Sequence, residues 1–424
     1  MLPQGWPLYA LFLGFPIWWV LGISAFMWTI MAVPMAAWLI RRKRVSAPAG
    51  FGIWVAFLLL MLGSSVRLND VDTYIHFGYR ASLYLAATVI LLYVFNMSSR
   101  ALPTGRLVTI LAGFWVLVVV GGFLGVLMPN VSFTSPVERI LPQRLAGNEF
   151  IQELVHPAFA QIQDILGYEQ PRPKAPFTYA TNWGAAFGLL TPFVILGWKF
   201  APTRAWRTLT VIAFVAAIVP VVASLNRGLW VSLGAGLIYA AVRLALAGHG
   251  RAMRRLIVLI SVALAIVYVT PLQDLISDRL ANPHSNERRL SLYEESTQIV
   301  LESPFLGYGG PRPASNPDAP PLGTQGQIWQ ILVSYGIPAT VLFLWWFMYR
   351  FWRMRRLTSE IGFWCHIVVF IALIQAPFYD WLGAPLVIIM IAIALAARED
   401  NEPEPSAIRS VGTVTSEGRT GSPN

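Results

Sequence analysis

The segment WLIRRKRVSAPAGFGIWVAF, Trp38 to Phe57, decides the fold. Four consecutive cations, Arg41, Arg42, Lys43 and Arg44, separate two apolar runs. Apolar runs of this kind are what a membrane-spanning helix requires, at ~20 residues each. Cations in short loops stay on the cytoplasmic side, so this loop fixes which end of every run points inward.

The rest of the chain follows the same pattern. Of its 424 residues 56% are hydrophobic and 12% charged, against about 25% charged in a soluble domain. This reads as an all-α integral membrane protein. Twelve apolar runs are expected to span, at residues 6–23, 26–40, 51–66, 83–95, 107–127, 182–198, 209–223, 229–242, 256–269, 328–347, 361–376 and 382–396. Alternation from the Arg41–Arg44 loop puts both termini in the cytoplasm. Twenty of the 31 basic residues and six of the 21 acids then lie inside. The net charge of +10 therefore reports topology rather than nucleic-acid binding. No cation precedes Arg41, so the first run is not read as a cleavable signal peptide. The lone cysteine, Cys365, allows neither a disulfide framework nor a thiol metal site.

Two expected outside segments are long. The chain divides into N-terminal spans (1–127), an outer loop (128–181), central spans (182–270), a second outer loop (271–327), C-terminal spans (328–397) and a polar tail (398–424) that reads as disordered. Within the first loop, Ser135-Pro-Val-Glu138 is a capping box. In NEFIQELVHPAFAQIQDILG, Ile151, Leu154, Val155, Phe159 and Ile162 recur at helical spacing. An amphipathic helix, interrupted near Pro157, is expected at the outer membrane boundary.

Arg227 stands out in VVASLNRGLWVSLG, Val221 to Gly234. An arginine at the membrane edge either snorkels to water or lines a polar, anion-binding cavity. The second loop carries NERRLSLYEESTQIVLESPFLGYGG, Asn286 to Gly310. Asn286 is positioned to cap a helix from Glu287 to Glu302, stopped by Pro304, with Leu290, Tyr293, Thr297 and Val300 inward. Arg288 and Arg289 in its first turn oppose the helix dipole. Glu294 or Glu295 is available to offset them, and so is an anionic ligand at the helix N-terminus.

These elements, in this order, resemble the O-antigen ligase and polymerase superfamily. SLNRG around Arg227 comes first. Arg289, four residues before Tyr293 and eighteen before Gly307 of PFLGYG, resembles the family's arginine–aromatic…Pro-x-x-Gly-x-Gly element. FTYATNWGAAFGLLTPF resembles its span opened by an asparagine, here Asn182. The resemblance covers about Pro171 to Gly336; the first five runs match in hydropathy only. It implies a GT-C-like glycosyltransferase with outer-loop helices, in the inner (plasma) membrane. Such an enzyme moves a glycan, with inversion, from a polyprenyl diphosphate to a lipid or glycan acceptor on the outer face. It implies no metal, no nucleotide sugar and no other cofactor. Arg227 and Arg289 would hold the leaving diphosphate; Arg288, Arg172 and Lys174 are further binding candidates. Asn182 and Gln325 would position groups around the bond that breaks, with Tyr293 beside them.

One position departs from the family. The family places a histidine and an asparagine at the opening of the span after the second loop. Here Gln325 and Gly326 stand there, and glutamine does not accept a proton at neutral pH. Glu294, Glu295, Asp380, His76, His156 and His284 are the outward alternatives for a base. A lipid-linked glycan flippase or a non-catalytic polysaccharide-binding protein are the competing readings. The twelve runs hold few ionisable groups, His366 being the exception, which favours surface chemistry over ion-coupled transport.

Overall fold

The computed structural model describes residues 4–164, 168–201, 203–269, 272–281, 284–317 and 319–401. The expected tail after residue 401 lies outside the described residues. The described chain runs in order through α1 (Trp6–Phe12), α2 (Phe15–Leu21), α3 (Ser24–Ile40), α4 (Phe51–Gly63), α5 (Val71–Asn96), α6 (Thr104–Leu127), α7 (Pro136–Ile140), α8 (Gln143–Ala146), α9 (Glu149–Val155), β1 (Ala160–Asp164), β2 (Glu169–Pro173), α10 (Ala180–Phe200), α11 (Arg204–Ala216), α12 (Ile218–Ala223), α13 (Arg227–Leu246), α14 (Gly250–Tyr268), α15 (Leu272–Ala281), α16 (His284–Glu302), α17 (Gln327–Met354), α18 (Glu360–Gln375) and α19 (Ala384–Asn401).

Each of the twelve apolar runs is helical, the first and seventh as broken pairs. Six described segments are long and apolar enough to cross a membrane, namely α5, α6, α10, α11 taken together with α12, α13 and α17, and there are seven if α14 and α15 count as one bent span. α3, α4 with its 3-10 extension, and α18 are shorter apolar helices. The bundle is organised around α19. Leu386 to Ala396 are almost completely buried on every side, packed by α5, α10 and α18. A helix apolar all round belongs in an interior.

α5 begins at Val71, twelve residues before the expected span. The cause is a capping box. Asp70 accepts from the Thr73 backbone N–H at 2.8 Å, and Thr73 Oγ1 accepts from the Asp70 N–H at 3.4 Å. His76 and Arg80 therefore lie on this helix. Arg80 is buried and donates to Ser334 Oγ at 3.3 Å. Arg350, on the longer α17, is also buried. The helices thus hold more ionisable groups than the hydropathy reading allowed.

The fold is not wholly α. The capping box at Ser135 forms as expected, with Ser135 Oγ accepting from Glu138 N at 3.1 Å and Glu138 Oε2 accepting from Ser135 N at 3.2 Å. The long amphipathic helix does not. α9 stops before Pro157, which has no N–H for a helix, and β1 pairs antiparallel with β2. Ile162 is consequently exposed rather than part of an apolar helix face. Ile151, Leu154 and Val155 are buried against Ala25, with Phe26, Ile75 and Tyr79 packed around them, so α9 docks on the bundle.

The second outer segment also differs in detail. α16 starts at His284, so Asn286 lies inside it rather than capping it. Its inward face is Leu292, Ser296 and Val300, at a spacing of four. Leu290 is 58% exposed, and Thr297 is exposed too. After α16 the PFLGYG loop meets a break in α17 at Gly336 (φ 83°). The loop amides of Tyr308 and Gly309 donate to the Val333 and Ser334 carbonyls at 3.0 and 2.7 Å. A Cβ on Gly336 would lie 2.6 Å from the Phe305 carbonyl oxygen. Gly336→Ala should therefore lower the thermal midpoint in detergent, since left-handed backbone alone costs ~1–2 kcal/mol. The same variant should expose the loop to limited proteolysis. An unchanged midpoint would show that the break is not held by this contact.

Candidate anion-binding site

The SLNRG turn joins α12 and α13, with only Ser224, Leu225 and Asn226 between them. Leu225 has φ 50°, a conformation that a branched side chain does not adopt without support. Each turn residue is gripped by a different part of the fold. Arg172 Nε on β2 donates to the Ser224 carbonyl at 2.8 Å. Arg279 Nε on α15 donates to the Leu225 carbonyl at 3.2 Å. Asn226 Nδ2 donates to the Ala180 carbonyl at 3.1 Å, and its Oδ1 accepts from Tyr379 Oη at 2.5 Å. Gly184 and Gly228 have no alternative here, because a Cβ would lie 2.2 Å from Asn226 Nδ2 and 2.7 Å from Tyr379 Oη.

This turn points Arg227 outward at the first position of α13, half-buried. Arg289, also half-buried, comes from α16. The charges of Arg227, Arg172 and Arg289 all bear on Arg279, and that of Arg289 on Arg172 and Arg227. Four guanidinium groups from four elements thus converge. Arg172 is 6% exposed and Arg279 is 7% exposed. The Arg172 hydrogen-bond partners are the Ser224 carbonyl and Gln163 Oε1 at 2.7 Å, both uncharged. Burial pushes Arg172 down to about 10, opposed by Tyr379 and reinforced by Arg289. It remains a cation at neutral pH. Concentrated, partly desolvated positive charge of this kind raises the local affinity for anions.

The structure separates the other candidates. Arg172 belongs to the cluster but spends its Nε on the turn. Lys174, two residues later, is lowered by burial and paired electrostatically with Glu153 instead. Glu153 itself accepts from Tyr179 Oη. Asn182 sits half-buried in the first turn of α10, next to the Ala180 anchor. The Arg288 side chain lies outside the described residues, as does that of His284. Tyr293 is a packing and tethering residue. Its ring stacks on Trp329 at 4.3 Å and 9°, and its hydroxyl reaches the Gln325 and Pro377 carbonyls at 3.2 Å each. The Gln325 backbone is thereby tied to Tyr293, which lies one helical turn from Arg289 in sequence, and the Gln325 amide is on Thr324 Oγ1 at 3.3 Å.

The carboxylates also sort. Glu295 Oε1 accepts from the Ser315 amide and hydroxyl at 2.7 and 2.6 Å. His156 pairs with Glu138 at 2.9 Å, and His76 lies against Phe150. Asp380 is different. It follows Tyr379, accepts from Gln330 Nε2 at 3.3 Å and from the Leu382 N–H at 2.8 Å, and feels the charge of Arg80. Burial raises its carboxyl above the usual range against those three influences. Gln327 and Tyr84 extend this second polar network, with Gln327 Nε2 donating to Tyr84 Oη at 2.6 Å.

Arg279 was not a sequence candidate. It lies 52 residues after Arg227 on a short helix with no motif around it, and its bond to the turn's carbonyl is what brings it into the cluster.

Residues 212–344 match the family model of O-antigen ligase. The match supports the O-antigen ligase and polymerase superfamily and a membrane enzyme of that general type. It contains Arg227, Arg279, Arg289 and Gln325, and leaves Arg172, Asn182 and Asp380 outside. No curated protein matches the chain.

Two substitutions test this geometry. Arg279→Ala leaves the Leu225 carbonyl without that donor, and a buried group left unsatisfied costs ~1–3 kcal/mol. Tryptophan fluorescence should report a lower unfolding midpoint in detergent. Tyr293→Phe keeps the stack on Trp329 and removes one shared hydroxyl, with an expected loss of ~0.5–1.5 kcal/mol. Equal stability of Tyr293→Phe and wild type would argue that the hydroxyl is not a tether.

Proposed function

We propose that this chain transfers a glycan from a polyprenyl-diphosphate donor to a hydroxyl of a lipid or glycan acceptor, at the outer face of the inner membrane. The observation that carries this reading is the convergence of four arginines on the SLNRG turn, three of them within the residues matched to the O-antigen ligase family. The reading keeps twelve spans, cytoplasmic termini and the loop divisions expected from the sequence.

The chemistry assigns the groups. The acceptor oxygen attacks the anomeric carbon, the bond from that carbon to the phosphate oxygen breaks, and the configuration inverts. Negative charge builds on the departing diphosphate. Arg227 and Arg289 meet it with bidentate donors, and Arg172 and Arg279 hold the turn that aims Arg227. Preorganised charge of this kind is commonly the largest catalytic contribution. No metal is needed to neutralise the leaving group in this scheme. The acceptor proton requires a base, and Gln325 does not serve. Asp380 is the proposed base, because burial biases its carboxylate toward taking a proton. Gln325 and Asn182 orient the acceptor and donor.

The test is transfer by purified protein in lipid, with native lipid-linked glycan, membrane acceptors and no divalent ion. Arg227→Ala and Arg289→Ala should each reduce transfer by ~10²–10³-fold while leaving a folded protein. Gln325→Ala should stay within tenfold of wild type. Transfer undiminished in both arginine variants would sink the diphosphate clamp, and donor binding without any transfer would favour the binding-protein reading.

The pH dependence has a fixed sign. A base acts as its anion, so the wild-type rate should rise as pH climbs through the raised Asp380 value and then level. Asp380→Asn should lose rate by ~10²–10⁴-fold, and its residual activity should lack that rising limb. A limb of the same shape in Asp380→Asn would assign the base elsewhere.

A further inference from the structure

The stretch TQGQIWQ, Thr324 to Gln330, opens α17 and docks on the loop between α18 and α19. The first N–H groups of a helix have no partner within it. Here the Gln327 N–H donates to the Tyr379 carbonyl at 2.8 Å, and the Ile328 N–H donates to the Ala376 carbonyl at 3.2 Å. Gly326 permits this approach, since a Cβ there would lie 2.3 Å from the Pro377 carbonyl oxygen. Side chains continue the contact. Gln327 Oε1 accepts from the Trp381 N–H at 2.8 Å, Gln327 Nε2 donates to Gln330 Oε1 at 3.0 Å, and Gln330 Nε2 donates to Asp380 Oδ2 at 3.3 Å. Both glutamines are buried.

The sense of this chain of bonds is forced. A backbone N–H only donates, so the Trp381 N–H requires the oxygen of Gln327 and turns that amide's NH2 toward Gln330. The NH2 in turn requires the oxygen of Gln330, whose own NH2 is left facing Asp380. Tyr84 Oη bridges the same two amides, accepting from Gln327 Nε2 at 2.6 Å and donating to Gln330 Oε1 at 3.3 Å. Flipping either amide would set donor against donor in a buried space and leave groups unsatisfied. Asp380 therefore meets a donor on each oxygen, Gln330 Nε2 on Oδ2 and the Leu382 N–H on Oδ1 at 2.8 Å.

We propose that Gln327 and Gln330 are positioning residues, which fix the rotamer of Asp380 and present its carboxylate with a donor of set direction. The assignment rests on the reading of Asp380 as the base. It also gives the start of α17 a part in the reaction that Gln325 does not fill: two amides aim a carboxylate carried by the neighbouring loop. The charged and titratable groups facing Asp380 are Arg80, Tyr79 and Tyr84 from α5, Tyr335 from α17 and Tyr179 just before α10. Phenols are neutral at the pH values where a carboxylate titrates, and Arg80 is kept in every variant below. A donor favours the ionised carboxylate, so its loss adds to the upward push of burial.

Infrared titration of the full chain in lipid tests it, following the protonated-carboxyl C=O band that Asp380→Asn abolishes. Gln330→Met and Gln327→Leu should each raise the midpoint of that band, Gln330→Met by about one unit. The rising limb of the transfer rate should move to higher pH by the same amount. Thr191→Ala removes a buried hydrogen bond from Trp115 Nε1, 3.2 Å long, between α10 and α6 and outside this network; it should leave both midpoint and limb in place. Either glutamine variant alone keeps the test decisive if the other does not fold. An unmoved midpoint in a folded glutamine variant, or an equal shift in Thr191→Ala, would overturn the inference by reducing the amides to packing. A midpoint that moves while the rate limb stays would keep the amides' hold on Asp380 and remove Asp380 as the base.

Discussion

Two neighbouring carbonyl groups, those of Ser224 and Leu225, hold the arginine cluster together. A three-residue turn between two helices leaves backbone acceptors with nowhere to go within the helices. Here they are taken by Arg172 from the hairpin and Arg279 from α15. The same bonds sustain a left-handed leucine and ground two buried cations. Removing either partner leaves the other exposed to a desolvation cost. The turn, the hairpin and α15 are therefore one unit, although they are separated by about fifty residues of sequence on either side of Arg227.

That coupling also explains why positive charge accumulates there. Like charges repel, and burial reduces the screening that water would supply. The inner members give donors to backbone and amide oxygens, Arg172 to the Ser224 carbonyl and Gln163 Oε1 and Arg279 to the Leu225 carbonyl, which offsets part of the cost of burying them. The outer members, Arg227 and Arg289, are left at half-burial, where an anion can reach them. Tyr379 links this arrangement to the Asp380 network through adjacent residues on one short loop, so the basic and acidic halves of the site share a support.

Much of this was legible in the sequence. Apolar runs become helices because their length and composition leave few other ways to satisfy the backbone in lipid, and all twelve did. Arg227 was visible because it falls between two apolar runs on the side expected to be poor in cations, and Arg289 because it falls in a helix's first turn at the spacing of the family element. What the sequence hid was long-range or ambiguous. Arg279 has no local signature; its meaning lies in a carbonyl from another helix. The segment after Pro157 has both helical and alternating spacing, and Ile162 fits either until Pro171 and Pro173 supply the partner strand. The early start of α5 was in principle readable, since Asp70 and Thr73 form a capping pair, but hydropathy alone placed the boundary where polar residues ended. The inward face of α16 was misplaced by two residues because Leu290 and Leu292 are equally apolar and only packing distinguishes them.

The seating of the PFLGYG loop in the α17 break gives α16 a mechanical character. The helix is pinned just beyond its end by the Tyr308 and Gly309 amides and, nine residues before its last residue, by the Tyr293 hydroxyl. It behaves as a beam on two supports, not as a hinged arm. Arg289 sits on the overhang, four residues past the inner support, or ~6 Å at 1.5 Å rise per residue. A cantilever that short sways little. The backbone that carries Arg289 is thus positioned by attachments that are themselves uncharged, so its placement does not depend on the electrostatic load the cation carries.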